Sequence, residues 1–451
     1  MKKHLMLVLA LAFVVGIAFA AYAEVQNVKV SGDLNMYGIA RNNFGLDSKA
    51  GLKDERAFAS IVRVRVDADL TDNVSTTVRL LNDRYWGNQD DDATTNNSKI
   101  DIDLAYATLK EFLYSPLTLT IGRQELRFGN AMIIGTSFPE SAPTSSAFGG
   151  AGRDWDLSTR KSSDAVRATL NYDPLVIDVV LAKVSEKVLN NNDDINLYGI
   201  NANYMLDKKT TIEGYVWAKE TRKKNYQVAS GHSKSDKVIV PGVRIAGAPL
   251  DALTYSVEAA YQLGKYNTGA LSKTDVQSRG AFGGEVMVSY NLKNVKYSPT
   301  VTGIYCFFQG NKGNKNYYRG WDPMFEDQKT GDIANALIPQ SNAHVLGGNV
   351  VFKPKDDLTV KGEYFAYWWD KKYGDKQVLQ TLRGDTITMN HKKYVGSEID
   401  ATLTYDYTED VQFNLLGGIF MPGGAFDKQD CTDHGNRSVA TELVGSMKVT
   451  F

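Results

Sequence analysis

Cysteine is almost missing from this chain: 451 residues carry two, Cys306 in a strand-like run and Cys431 in a polar, Gly-rich stretch. A protein of this size is not stapled by so few thiols, and the pair is compatible either with one bridge or with two separate groups. Proline is scarce as well, at 11, as expected of a chain dominated by strands, because proline cannot donate to a ladder. After residue 23 no stretch approaches the roughly 20 apolar residues that a spanning helix needs, which excludes a helical inner-membrane protein. There is no basic excess: the formal net charge is −1, which argues against a general nucleic-acid binder. His232, His344, His391 and His434 are scattered singly, and no His-x-x-x-His, Cys-x-x-Cys or Gly-x-Ser-x-Gly spacing occurs. Metal and nucleophile chemistry therefore lack a recognisable constellation, and neither a cofactor nor an enzymatic activity is expected. Asp90-Asp91-Asp92 reads as a solvated charge run rather than a Ca²⁺ loop.

Aromatics, by contrast, are plentiful, with 24 Tyr, 18 Phe and 6 Trp. The N-terminus has Lys2 and Lys3, an apolar run from Leu5 to Phe19, and Ala21-Tyr22-Ala23 before Glu24. A charged region, a short apolar region and a small-residue cleavage site make residues 1–23 a signal peptide, so that the exported chain is a single domain over residues 24–451.

From Glu24 onward the chain alternates. Val28, Val30, Leu34 and Met36 share a face opposite Lys29, Asp33 and Asn35; Phe58, Val62, Val64 and Val66 oppose Arg63, Arg65, Asp67 and Asp69. Period-two patterning with one apolar face predicts strands. The connections take turns at being short (Thr71-Asp72-Asn73, Ser115-Pro116, Asp173-Pro174, Asp207-Lys208-Lys209, Lys355-Asp356-Asp357, Glu409-Asp410) and long (Gly87 to Ser98, Asn130 to about Lys161). About eighteen strands result, sixteen being the alternative count because Gln309 to Asn342 resists parsing. The final stretch, Val439 to Phe451, alternates too and ends on an aromatic residue. An exposed apolar edge strand would template aggregation, whereas a closed barrel pairs its last strand with its first. Short turns at one end, long loops at the other, aromatics near strand ends and an exported chain favour an all-β transmembrane antiparallel barrel over a soluble sandwich. The closing strand should pair with Val28 to Arg41, with Leu443, Met447 and Val449 toward lipid and Glu442 and Lys448 toward water.

Two stretches carry a family resemblance. Ile121-Gly122-Arg123-Gln124-Glu125-Leu126-Arg127-Phe128-Gly129-Asn130 resembles the Gly-Arg-Gln-Glu strand end of the alginate-export-type outer-membrane porins. Val395-Gly396-Ser397-Glu398-Ile399-Asp400, followed by Gly418-Ile419-Phe420-Met421-Pro422-Gly423, resembles their Gly-x-Glu-x-Asp strand and Phe-x-Pro-Gly exit. The ending on Phe451 is similar to the C-terminal signature read by the outer-membrane barrel assembly machinery. The resemblance implies an eighteen-stranded monomeric barrel in the bacterial outer membrane, surrounded by lipid, that passes a polar small-molecule or polysaccharide solute through a charged constriction.

The parity opposite the apolar one supplies the lining candidates: Arg63, Arg65, Arg79, Arg167, Arg244 and Lys361, with Asp67, Asp69, Asp101, Asp103, Glu213, Glu258, Glu285, Glu363, Glu398, Asp400 and Glu442. Acids outnumber bases there, unlike the Arg-rich lining that an anionic uronate polymer would call for. Arg123, Glu125 and Arg127 share the parity of Leu117, Leu119 and Ile121, so either a bulge turns them round or they stand beyond the hydrocarbon band, where an arginine costs little. The long segment from Asn130 to Lys161 is expected either to fold inward as a constriction or lid of the pore or, with equal support, to be an ordinary surface loop. The expectation is thus a passive pore for polar solutes, carbohydrates or organic anions, the alternatives being a plugged structural or receptor-type barrel and, third, an outer-membrane hydrolase.

Overall fold

Alternation becomes a pleat whose two faces meet different solvents. The computed structural model describes residues 26–46, 54–87, 100–135, 162–186, 194–222, 235–267, 276–313, 316–375, 377–380, 386–426 and 438–451. Residues 1–23, Asp90 to Asp92, Cys431 and the greater part of the Asn130–Lys161 segment lie outside these ranges. The strands are β1 (Asn27–Asn42), β2 (Asp54–Thr71), β3 (Val74–Tyr85), β4 (Asp101–Leu109), β5 (Leu117–Glu125), β6 (Ser162–Asn171), β7 (Leu175–Ser185), β8 (Ile195–Asp207), β9 (Thr210–Thr221), β10 (Asp236–Leu250), β11 (Leu253–Asn267), β12 (Val276–Asn291) and β13 (Thr300–Phe308). There follow β14 (Tyr317–Tyr318), β15 (Ala343–Lys355), β16 (Leu358–Trp369), β17 (Val378–Gln380), β18 (Thr386–Thr388), β19 (Tyr394–Asp406), β20 (Val411–Pro422) and β21 (Ala440–Thr450). Short β14 adds to β12 in parallel, and β17–β18 form a separate hairpin. The other eighteen make one closed antiparallel barrel.

Closure is between β1 and β21, antiparallel from Asp33↔Thr450 to Asn42↔Thr441. Phe451 continues the ladder: Gly32 N–H donates to its carbonyl at 2.9 Å and its own N–H donates to the Gly32 carbonyl at 3.1 Å. Across the seam Leu443 is exposed on the outer face, while Glu442 is buried inside at 2.5 Å from Arg41. The closing strand thus has the pairing and the facing that its alternation predicts.

The outer face carries exposed Val64, Val66, Val78, Leu80, Val179, Leu181, Val243, Ile245, Val286, Val288 and Leu415, the apolar band of a membrane barrel. Exposed aromatics edge it: Tyr204, Tyr290, Tyr405 and Phe413 near the end that holds the short turns, the start of β1 and the end of β21, and Phe58, Trp86 and Tyr394 at the end of the long loops. Pairing is continuous along most ladders, with register shifts at places such as Arg79/Leu80 opposite β4 and Tyr367/Trp368 opposite β19.

The inside is not empty. One hydrophobic cluster joins inward residues of the wall, among them Trp217, Val240, Phe308, Phe365 and Phe420, to residues of two loops, Leu126 to Ile134 and Trp321 to Ile338. The second loop holds the helix α1 (Ile333–Leu337), four of whose five residues are buried. Of the segment that resists parsing by periodicity, Gln309 to Asn342, the part from Trp321 to Ile338 is therefore a packed internal piece ahead of β15.

Candidate functional site

The lumen is built from the inward parity of the strands and from these two loops. On the β1–β7 wall the charges pair across neighbouring strands or along one. Arg63 Nε donates to Asp33 Oδ1 at 2.8 Å, and Arg65 grips Asp67 through Nε at 2.7 Å and Nη2 at 2.8 Å. Arg79 Nε reaches Asp103 Oδ2 at 2.6 Å, and its Nη2 meets Glu125. Arg167 Nε donates to Asp178 Oδ1 at 2.7 Å while its guanidinium lies 5.1 Å from the centre of the Phe128 ring. Asp101, at the first residue of β4, is half-buried on the face of Asp103.

On the facing wall the first inward loop docks. Gly129 lies against Arg244, Glu213 and Glu258. Asn130 Nδ2 donates to Glu285 Oε1 at 2.7 Å and to Ser256 Oγ at 2.8 Å, and Arg244 Nε donates to Asn130 Oδ1 at 2.9 Å. Tyr215 donates its hydroxyl to Glu258 at 2.7 Å. Glu258 and Glu285 are register partners on β11 and β12, two acids side by side, and like charges so placed repel unless other groups share them. Asn130, Tyr215 and Gln328 supply those groups.

The second inward loop is held by charge and by shape. Asp322 accepts from Lys219 Nζ at 2.5 Å and lies 3.7 Å from Arg279, which also pairs with Asp236 at 3.0 Å. Burial pushes the Asp322 carboxyl up, but Lys219 and Arg279 outweigh it and hold the group below the usual carboxylate range. The Arg279 guanidinium stands 5.2 Å from each of the stacked rings of Tyr266 and Tyr318. Trp321 lies flat against Gly283, where any Cβ would come within 2.8 Å of the ring, so glycine is needed for that approach. Deeper in, Glu398 accepts the N–H groups of Ile333 and Ala334 at 2.7 Å each, and Tyr367 donates to the Thr330 carbonyl at 2.5 Å. Asp400 is buried beside Gly418 and Ile333, and Glu363 takes Lys361 at 2.5 Å. Fully burying a Trp, Phe, Met, Ile or Leu stabilises by roughly 1.5–3 kcal/mol each. Trp321, Met324, Phe325, Ile333 and Leu337 are all buried, so this loop is packed rather than laid loosely on the wall.

The two loops are tied to each other. Gly135 N–H donates to the Phe325 carbonyl at 2.7 Å, Asp327 N–H to the Ala131 carbonyl at 2.9 Å, and Arg127 Nη1 to Asp327 Oδ2 at 2.6 Å. They share one hydrophobic cluster with inward residues of the wall from Ala165 on β6 round to Ala440 on β21.

Of the three charges whose parity conflicts with their strand, two meet inward partners: Glu125 reaches Arg79 and Arg127 reaches Asp327. Arg123 does not. It stands opposite Asp164, 3.4 Å away, on the face shared with exposed Ile121 and Val166, and β5 runs in unbroken register with β6. Gly122, at φ +124°, adopts a conformation closed to other residues and lets the strand pack onto the Ala105 carbonyl. Sequence reasoning missed Lys219, Asp236, Arg279 and Asp322, because their partnership joins three strands to a loop with no period of its own. Among the described residues no group of three or more His, Cys, Asp or Glu is arranged to hold a metal ion.

Comparison with known proteins agrees with this architecture. The sequence profile of the alginate-export family matches residues 32–440. No curated protein matches significantly. Solved structures of similar fold include Pseudomonas aeruginosa OccK3 (OpdO), with TM-score 0.57 and 9% identity over 95% of this chain and 97% of that one. P. aeruginosa OccK2 (OpdF) in complex with glucuronate superposes with TM-score 0.56 and 11% identity over 95% and 99%. Acinetobacter baumannii OccAB3 does so with TM-score 0.56 and 12% identity over 95% and 100%.

Proposed function

The chain belongs to the alginate-export family, and from that premise we propose that its outer-membrane channel for polar solutes is selective for organic anions, with carboxylated sugars as the substrate class. One observation carries this: in three ion pairs, one between the inward loops, one on β16 and one between β6 and β7, the basic head stands further into water than its acid. Side-chain exposure is 55% for Arg127 against 19% for Asp327, 39% for Lys361 against 8% for Glu363, and 31% for Arg167 against 7% for Asp178. The carboxylates sit against the wall and orient cations toward the path. A solute therefore meets guanidinium and ammonium groups although acids are the more numerous on this parity, and planar guanidinium groups suit carboxylates. Two sets run the other way: Glu125 is more exposed than Arg79, and Asp322 and Asp236 are more exposed than Lys219 and Arg279, which hold the inward loop.

The residues proposed to border the path are Arg63, Arg65, Arg79, Arg127, Arg167 and Lys361 with their acids, whereas Arg244, Glu285, Glu398 and Asp400 position the inward loops and Arg123 faces outward. Supporting the proposal that residues 1–23 direct export of one domain, 24–451, is the three-part pattern of the N-terminus. The terminal strand with Phe451 supports recognition by the barrel assembly machinery. No chemical turnover is part of this reading.

Planar-bilayer recording tests it. Under a salt gradient the reversal potential should show anion preference, and glucuronate, which OccK2 binds, should reduce chloride current. Cation preference would overturn the proposal. A second reading, a closed barrel with a structural or receptor role, is favoured by the burial of Met132, Phe325 and Leu337 inside the lumen; steady silence in the bilayer would establish it instead.

A further inference from the structure

The outward charge at Arg123 has an acid opposite it, but two other outward arginines do not. Arg84 shares its face with exposed Leu80 and Val78 and is the register partner of Ser60. Arg56, on the adjoining strand, shares the face of Phe58 and Ser60. Between the two arginines stand Phe58 and Trp86, whose rings stack with centroids 5.5 Å apart and whose backbones meet where Trp86 N–H donates to the Phe58 carbonyl at 2.8 Å. Both rings are exposed, and they belong to the aromatic edge on the long-loop side, opposite the start of β1 and the end of β21. Arg56 Nη1 donates to neutral oxygens, Asn42 Oδ1 at 3.0 Å and the Glu55 carbonyl at 3.4 Å. Among the described residues, neither guanidinium has a carboxylate within ion-pair distance.

Two residues along a strand cover about 6.8 Å, and with a tilt near 40° that is about 5 Å of depth. Arg84 is thus rooted about 5 Å to the lipid side of Trp86, and Arg56 about 5 Å to the water side of Phe58. A guanidinium rooted within the apolar band must bring its head to the headgroup level or find an anion there. Arginine's fork matches phosphate oxygens in pairs, and an exposed aromatic platform beside it accepts the apolar or sugar face of the same molecule.

We propose that Arg56 and Arg84, bracketing the stacked Phe58–Trp86 pair on the outward face of β2–β3, bind a phosphorylated glycolipid of the outer leaflet. The phosphates lie between the two guanidinium groups, the sugar rests on the rings, and the acyl chains run down the band formed by Leu80, Val64 and Val78. This surface is separate from the lumen and its reading does not depend on what the channel passes.

Native mass spectrometry of the mature protein in detergent, with diphosphorylated lipid A as the probe, tests the site. Wild-type protein should retain the diphosphorylated lipid and bind its dephosphorylated counterpart more weakly. Arg56→Ala/Arg84→Ala should lose roughly tenfold in affinity, the size expected for removing charge-assisted hydrogen bonds, while keeping the heat-modifiable gel migration of a folded barrel. Equal affinity of wild type for the two lipids, or of wild type and variant for the phosphorylated one, overturns the proposal. Should the alanine variant not fold, Arg56→Lys/Arg84→Lys decides: it keeps the charge and loses the fork, so binding should weaken, and unchanged affinity would count against the site.

Discussion

Arg127 Nη1 and Asp327 Oδ2 lie 2.6 Å apart although 200 residues separate them in the chain. Each belongs to a different inward loop, so the pair fastens the two loops to each other on their water side. Arg127 is more than half exposed, and a pair so wet contributes at most about 1 kcal/mol. Arg127→Ala should therefore leave unfolding unchanged while widening the path and removing a cation from it. Single-channel conductance should rise and anion preference should fall; conductance equal to wild type would show that the pair does not border the path.

Asp322 is the buried counterpart of that pair. Asp322→Asn takes its acid from Lys219 and one of two acids from Arg279, and should cost about 3 kcal/mol, the low end for a buried pair because the aspartate keeps some contact with water. Because Lys219 and Arg279 hold the carboxyl below its usual range, its stabilising effect is complete above about pH 3.9, the unfolded value, and is lost as pH falls through the lowered native value. Channels quiet at neutral pH should flicker in acid, and Asp322→Asn should flicker already at neutral pH. A variant as quiet as wild type would show that the loop needs no such anchor.

The exposure of basic heads predicts what sets selectivity. Arg63→Gln/Arg65→Gln removes two cations from the inward face of β2 and takes from Asp33 and Asp67 their arginines. The anion-to-cation permeability ratio should drop on the order of two- to threefold at low salt. The difference should shrink at 1 M, where the Debye length contracts to about 3 Å. Reversal potentials at several salt concentrations measure both effects.

How much of this was legible in the sequence differs by element. Val62, Val64 and Val66 against Arg63, Arg65 and Asp67 announce a strand and its two faces, because facing follows parity wherever pairing is unbroken. All eighteen barrel strands were visible on that basis. Trp321, Met324, Phe325 and Ile333 were not placed, since a loop that fills a lumen is apolar on whichever side touches the wall and has no fixed period. The acid excess of the inward parity was correctly read as a count, yet it says nothing of depth: Glu363 and Asp178 are buried behind Lys361 and Arg167, which only coordinates reveal. Parity also misplaces residues at a strand end, as Glu125 and Arg127 show by meeting partners inside while Arg123, of the same parity, meets Asp164 outside.

The seam offers a test of how the barrel is held shut. Arg41 and Glu442 join the first and last strands, both side chains 2% exposed, with the guanidinium 5.0 Å from the Phe44 ring. Glu442→Ala takes from Arg41 the acid that it meets across the seam and should destabilise the barrel by about 3 kcal/mol, the low end for breaking a buried pair. Replacing both residues by apolar ones, Arg41→Met/Glu442→Leu, removes the buried cation together with its acid, and should cost distinctly less than the single change. Urea unfolding in lipid vesicles, followed by loss of the compact gel band, gives both values. If the double variant were the less stable of the two, the pair would be contributing net attraction to closure, and the ladder from Asp33↔Thr450 to Asn42↔Thr441, with its apolar outer contacts, would not be sufficient to hold the barrel closed.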